Sequence, residues 1–305
     1  MKSNTRKSIT AYLMLTACML VWGSLAVFVK KTALTSSQLV LCRVILGLAF
    51  LCAVCFAGRN KTDRSALKSY GIRLLLSGVI MGFNWVCLFQ SYKFTSVSVA
   101  TLCYYTAPVA VILGSFVFYR EKITVKKITA VITAVAGLVL ITGTSDGSVT
   151  VKGIIYGLAS AALYAGVTLI NKSVKGISGL SITIVQLVGA AVVMLPYTLI
   201  KDGIPTVTGG AAEVVSILIL GFIHTGAALY MYFSSIQALP VSAVAVMSYI
   251  DPASALFFAA VFLDEKAGLN GIIGAVLIIG GAGISWCRTA DFWEIGLNKN
   301  ELCVT

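Results

Sequence analysis

The chain has 305 residues, of which 58% are hydrophobic and 11% charged, with a mean hydropathy of +0.96. An ordinary soluble domain carries roughly 25% charged residues. So apolar a surface cannot face water all round, which excludes a soluble enzyme, and so little polarity excludes a disordered chain. The net charge of +12 sits in short segments between apolar runs, where it orients helices in a bilayer rather than binding nucleic acid.

Runs of about 20 apolar residues suffice to cross a bilayer as helices, and the chain contains ten. The first, 9–29, follows Lys2, Arg6 and Lys7 and carries Trp22. It is too long for a signal-peptide core and no clear small-residue cleavage site follows it, so it reads as a retained span. The second, 38–57, contains Arg43 and is cut from the third, 70–91, by GRNKTDRSALK. The fourth, 97–119, has Pro108 at its centre, and YREKITVKK separates it from the fifth, 125–143. The sixth to tenth are 153–171, 180–200, 213–233, 241–263 and 269–287, with Pro252 central in the ninth. Seven of the eight cysteines lie in or at the ends of these runs. Cys52 and Cys55 form a C-x-x-C inside a span with no second pair or nearby histidine, so they read as apolar packing rather than a metal or redox site.

The second half repeats the first. A shift of 144 residues aligns FQSYKFTSVSVATLCYYTAPVAVILGSFVFYREK with FSSIQALPVSAVAVMSYIDPASALFFAAVFLDEK. Tyr105 falls on Tyr249, Pro108 on Pro252, and Glu121-Lys122 on Glu265-Lys266. Five spans are an odd number, so the second copy enters the membrane inverted, and inverted repeats are the mark of secondary transporters. The expected fold is therefore an all-α membrane protein of ten transmembrane helices, built as two inverted five-helix repeats. The repeats are 8–145 and 150–288, with a cytoplasmic tail over 289–305.

These features resemble the EamA-type drug/metabolite transporters. The resemblance lies in the first span AYLMLTACMLVWGSLAVFVKK, the second opening SSQLVLCRVILGLAF, and the span ends FVFYREKIT and AVFLDEKAG. Each of those ends is followed by a Gly-rich helix ending LVLITG or GAGIS. The resemblance covers about residues 8–288. It implies a ten-helix bundle, alternating access and a small metabolite as cargo, often an amino acid or amine and often exported. It also implies a structural or gating role for Arg43 near the outer mouth.

The residues themselves nominate a site. Proline removes one intrahelical hydrogen bond and displaces the carbonyl four residues back. Pro108 and Pro252 thus free the carbonyls of Tyr104 and Ser248 near mid-membrane, where such groups must face protein or a wet cavity. Asp251, beside Pro252, is the one acid well inside a span. An acid at that depth costs about 2.5–3.5 kcal/mol on insertion scales, so it should face the interior and bind a proton, a substrate ammonium, or a hydrogen-bond partner. Its repeat counterpart is Ala107, so symmetry does not explain it. Arg43 has a stem long enough to snorkel to the outer interface, or it forks onto a carboxylate. His224 is the sole histidine and either titrates or packs. Trp22, Asn84, Trp85, Tyr104, Tyr105, Tyr164, Tyr230 and Tyr249 supply the aromatic and amide complement usual in ligand pockets. Gly153, Gly157, Ala161 and Ala165 recur every fourth residue in the sixth span and permit close helix contact, within the chain rather than in a dimer. Glu121 and Glu265 read as interfacial or capping groups that end their helices.

The expected function is secondary active transport of a small metabolite across the inner or plasma membrane, with proton coupling through Asp251. The alternative is an uncoupled facilitator or channel-like permease for a small polar solute. No catalytic set, cofactor or metal is expected, and no P-loop is present to take ATP. The partners are the cargo, the bilayer and protons, and the chain is a monomer or weak homodimer. Lysines and arginines set the orientation. With the N-terminus inside, sixteen fall on the cytoplasmic side and six outside, leaving Arg43 within a span. Both termini are therefore expected in the cytoplasm. In a cysteine-free chain, Asn60→Cys should resist an impermeant thiol reagent applied to intact cells and Ser145→Cys should react. Labelling of Asn60→Cys from outside contradicts this orientation.

Overall fold

The computed structural model describes residues 2–58, 64–119, 125–142, 150–174, 177–236, 247, 250–265 and 268–286. Tyr249, Glu121, Lys266 and the 289–305 tail lie outside the described residues, as do the side chains of Pro108 and of the first eight positions. Every element among the described residues is helical.

Six helices are long and apolar enough to cross a membrane: Ile9–Val29, Ser36–Ala57, Ser69–Phe94, Val151–Asn171, Gly179–Lys201 and Gly210–Tyr232. Their outward faces are apolar. Phe56, Ile72, Phe118, Val192, Ile200 and Val276 are all well exposed, as expected where lipid rather than water is the solvent.

The elements follow the apolar runs, with interruptions. α1 (Lys2–Gly23) stops at Ser24 and resumes as α2 (Leu25–Val29). α3 is Ser36–Gly58 and α4 is Arg64–Phe94, the latter longer at both ends than its apolar run. The fourth run is two helices, α5 (Val97–Tyr104) and α6 (Ala107–Tyr119). Pro108 has no N–H to return to the Tyr104 carbonyl, and the chain turns at Tyr105 and Thr106, whose hydroxyl donates to the Cys103 carbonyl at 2.7 Å. α7 (Val125–Thr142), α8 (Val151–Lys172) and α9 (Gly179–Lys201) follow. The eighth run begins as α10 (Gly210–Leu218), widens into a π-helix over Ile219–Ala227, and ends as α11 (Ala228–Ile236). α12 (Ile250–Phe262) and α13 (Leu269–Trp286) complete the described helices. Pro252 lies buried in the first turn of α12, a position that needs no intrahelical N–H bond.

α8 fits closely against α4 and α5 because its small residues face them. A Cβ added at Gly153 would stand 2.7 Å from the Thr95 Cβ, and one at Gly157 2.7 Å from the Cys103 Cβ. Ala161 and Ala165 are buried on the same stripe. Polar pairs tie the same helices together. Asn84 Nδ2 donates to the Ser160 carbonyl at 2.6 Å, and the Ser160 hydroxyl donates to the Asn84 carbonyl at 3.0 Å. Gln186 Nε2 on α9 donates to the Ser77 hydroxyl at 2.8 Å and to Asn171 Oδ1 at 2.9 Å.

Carboxylates lace one end of the bundle. Glu213 accepts from the backbone N–H of Ala33 at 2.6 Å and of Gly209 at 2.6 Å. Asp202 accepts from the hydroxyls of Thr35 and Ser37. Asp264, at φ 55°, ends α12 in the left-handed region and turns Glu265 back. Glu265 then caps the first turn of α5 by accepting from Ser98 N at 3.2 Å, and it pairs with Lys30 at 3.7 Å. The expected capping role of Glu265 thus falls on a helix other than its own.

Gly157→Leu inserts a side chain where α8 meets α5, and overpacking of this kind costs about 1–3 kcal/mol. The melting temperature in detergent should fall clearly, while Phe56→Leu on the outer face leaves it unchanged. An undiminished melting temperature for Gly157→Leu means that α8 does not pack there.

Candidate functional site

Three helix interruptions and the start of α12 meet inside the bundle. At the first, Trp22 Nε1 donates to the His224 carbonyl at 3.0 Å, reaching from α1 into the π-segment. The Ser24 hydroxyl, at the α1–α2 join, lies 3.0 Å from His224 Nε2. Gly23 lets α1 press onto α12, since a Cβ there would collide with the Ser254 hydroxyl.

Asp251 occupies the first turn of α12 and is half-buried. The Tyr105 side chain, from the α5–α6 turn, lies against its carboxylate. Tyr92, Tyr104 and Tyr164 also lie within electrostatic reach of this acid, as does Cys18. Tyr104 stands edge-on to Tyr105, ring centroids 5.8 Å apart, and to Tyr164 at 5.6 Å. Trp22 packs on Tyr232 at 5.2 Å, and Met247 and Ile250 close over the same α1 surface. One carboxylate thus sits among phenols and an indole, a setting able to hold a proton or the ammonium of a small molecule.

Arg43 does not reach the interface. It is 2% exposed, and its guanidinium lies 4.9 Å from the Trp85 ring centroid and 5.1 Å from that of Phe89. Its Nε donates to the Thr225 hydroxyl at 3.0 Å. Thr225 belongs to the π-segment and donates in turn to the Leu220 carbonyl, five residues back, at 2.8 Å.

Of the residues expected from sequence, the structure brings Tyr105 against Asp251 and bonds Trp22 to the His224 backbone. It places Arg43 on Thr225, next to His224. The His224 ring is committed: Nδ1 lies 3.3 Å from the Ile219 carbonyl, and Phe28 stands edge-on at 5.2 Å. Asn84 lies elsewhere, locked on Ser160. Trp85 serves Arg43 rather than the acid. Tyr249 is outside the described residues. Tyr92, Tyr232, Cys18 and Thr225 were not singled out. Helical spacing held a signal for two of them: Cys18 lies one turn from Trp22, and Tyr232 two turns from His224. Among the described residues, no three His, Cys, Asp or Glu side chains come together as a metal ligand set.

The EamA-like transporter family model matches residues 9–143 and again 151–287. The uncharacterized transporter YxxF of Bacillus subtilis is 32% identical over 293 residues, spanning 94% of this chain and 92% of that protein. A probable amino-acid metabolite efflux pump of Escherichia coli is 25% identical over 272 residues, 86% of this chain and 89% of that one. A solved crystal structure superposes with a TM-score of 0.65 at 18% identity, covering 90% of this chain and 96% of the other, which shows a shared fold. With a family model matching twice and nearly end to end, the chain is a multi-pass membrane transporter rather than an enzyme and belongs to the EamA-like transporter family.

Proposed function

We propose that the chain is a secondary transporter that moves a small metabolite, an amino acid or amine, by alternating access, with Asp251 as the group whose charge is linked to transport. The observation that carries this reading is the placing of Tyr105, from the α5–α6 turn, against Asp251 in the first turn of α12. It joins two interrupted helices in the interior, so any change in the charge of Asp251 acts on the relative position of both. A carboxylate can accept from the Tyr105 hydroxyl. A protonated Asp251 has less acceptor capacity and gains a proton to donate, which alters the contact at the place where neither helix is continuous.

The architecture behind this reading is the pair of inverted five-helix repeats. The helix pairings support it. α1 packs on α12 as α8 packs on α6, α1 on α11 as α8 on α4, and α3 on the π-segment as α9 on α4. Moving each helix five spans along the ten-span order converts one member of each pair into the other, and α7 on α13 maps onto itself. The cargo class is supported by the name of the Escherichia coli relative and by the setting of one acid among aromatic rings. The inner membrane as location and both termini in the cytoplasm follow from the lysine and arginine distribution.

Asp251→Asn keeps the shape and the hydrogen-bonding capacity and removes the titration. Cargo is first found by thermal stabilisation against amino acids and amines, since a ligand that binds the folded form raises its melting temperature. In proteoliposomes, Asp251→Asn should then retain cargo exchange but lose accumulation driven by an imposed pH gradient. If Asp251 instead holds the cargo ammonium, affinity falls and flux drops at every pH. Wild-type accumulation by well-folded Asp251→Asn across about pH 5.5–8, a range bracketing neutrality, would contradict the assignment.

A further inference from the structure

Arg43 is a buried cation without a matching anion. The ion pair found among the described residues is Lys30–Glu265, at the laced end of the bundle, and no described carboxylate comes within ion-pair distance of Arg43. The charged or titratable groups within its electrostatic reach are Tyr92 and His224, and neither supplies a carboxylate. Its Nη1 is buried and has no hydrogen-bond partner among the described residues. Buried guanidinium groups are ordinarily paired, because the charge loses its hydration and must recover it from an acid or several acceptors. Here the rings of Trp85 and Phe89 and the Thr225 hydroxyl fix the group and leave one edge unsatisfied.

Packing alone does not call for an arginine here. At the 144-residue offset its counterpart is Leu187, fully buried in the hydrophobic core. An apolar side chain therefore fills the matched position. Arg43 thus departs from the repeat as Asp251 does. A buried guanidinium with an unsatisfied N–H donor is suited to take a carboxylate oxygen.

We infer that Arg43 is an anion-recognition group of the transport path and takes a carboxylate of the cargo on its Nη1 edge; this rests on the transporter reading above. The edge is sealed in the present conformation, and the π-segment is the element able to open it. The Thr225 hydroxyl is set by its bond to the Leu220 carbonyl, a register that belongs to the π-helix. Return of that segment to α-helical register rotates Thr225 away from the guanidinium and opens access to Arg43. π-Helical widenings recur at functional sites. Gly47 and Gly221, pressed against Thr225 and Leu46, leave the segments close enough for the change to be felt at Arg43.

The test compares common L-amino acids with their methyl esters, which keep the ammonium and the side chain and lose the carboxylate charge. Binding is read by the melting temperature and by tryptophan fluorescence, Trp85 being in contact with the guanidinium. The wild-type protein should bind at least one acid about tenfold or more tightly than its ester, the worth of a charged hydrogen-bonded pair. Arg43→Gln should bind acid and ester alike, and Arg43→Lys should keep part of the preference, being a charge without the fork. Melting temperatures without ligand establish that both variants are folded. Asp251→Asn should leave the preference for acid over ester intact, so wild-type pH-driven accumulation by Asp251→Asn together with an intact Arg43 preference would sink the Asp251 assignment and leave this one standing. Equal binding of acid and ester by the wild type, a preference that survives Arg43→Gln, or no response to any carboxylate overturns the inference.

Discussion

A helix in lipid has no water to receive a freed carbonyl or to surround a charge, so each interruption of its hydrogen bonds must be made good by protein. This chain places its interruptions together. The Gly23–Ser24 join, the Tyr105–Thr106 turn, the π-segment and the first turn of α12 all face the interior, and each supplies what another lacks. The His224 carbonyl takes the Trp22 indole N–H, and Tyr105 lies against the Asp251 carboxylate. Charges that would be intolerable on the outer faces become tolerable there.

The rest of the bundle is built to resist such change. α4, α8 and α9 are joined by Asn84–Ser160 and by Gln186 with Ser77 and Asn171, over a stripe of small residues that admits no added side chain. At one end, Glu213, Asp202 and Glu265 accept backbone and hydroxyl donors from several helices. Neutral pairs and glycine contacts hold the scaffold, while the two charges that depart from the repeat, Arg43 and Asp251, lie at the irregular segments.

The apolar runs were legible because lipid demands them, and the end of α2 and both ends of α9 and α13 fell within a few residues of expectation, while α1 begins seven residues before its apolar run. The turn before Pro108 was legible because a missing N–H is written in the sequence. The π-segment was not. Its Gly and Thr residues are ordinary in membrane helices, and its register is fixed by contacts with α3 and Trp22 that no local pattern encodes. Arg43 could be read as reaching outward or inward, since a long stem permits both, and only the positions of Trp85 and Phe89 decide. Asn84 looked like a pocket residue because an amide in a span must be satisfied, yet Ser160 satisfies it within the scaffold. Tyr92 gave no signal at all: its place near Asp251 depends on how α4 lies against α5.

The central claim is that the interrupted segments around Asp251 border an aqueous path through the bundle, while the outer faces border lipid. Substituted-cysteine accessibility at Tyr105 tests it most directly, in a chain freed of its eight native cysteines. Tyr105→Cys should react with a small, charged thiol reagent applied to membranes, and bound cargo should slow the reaction. Phe118→Cys, 75% exposed on the outer face, should stay inert under the same conditions. A Tyr105→Cys variant as inert as Phe118→Cys, or one whose reaction ignores cargo, contradicts the account.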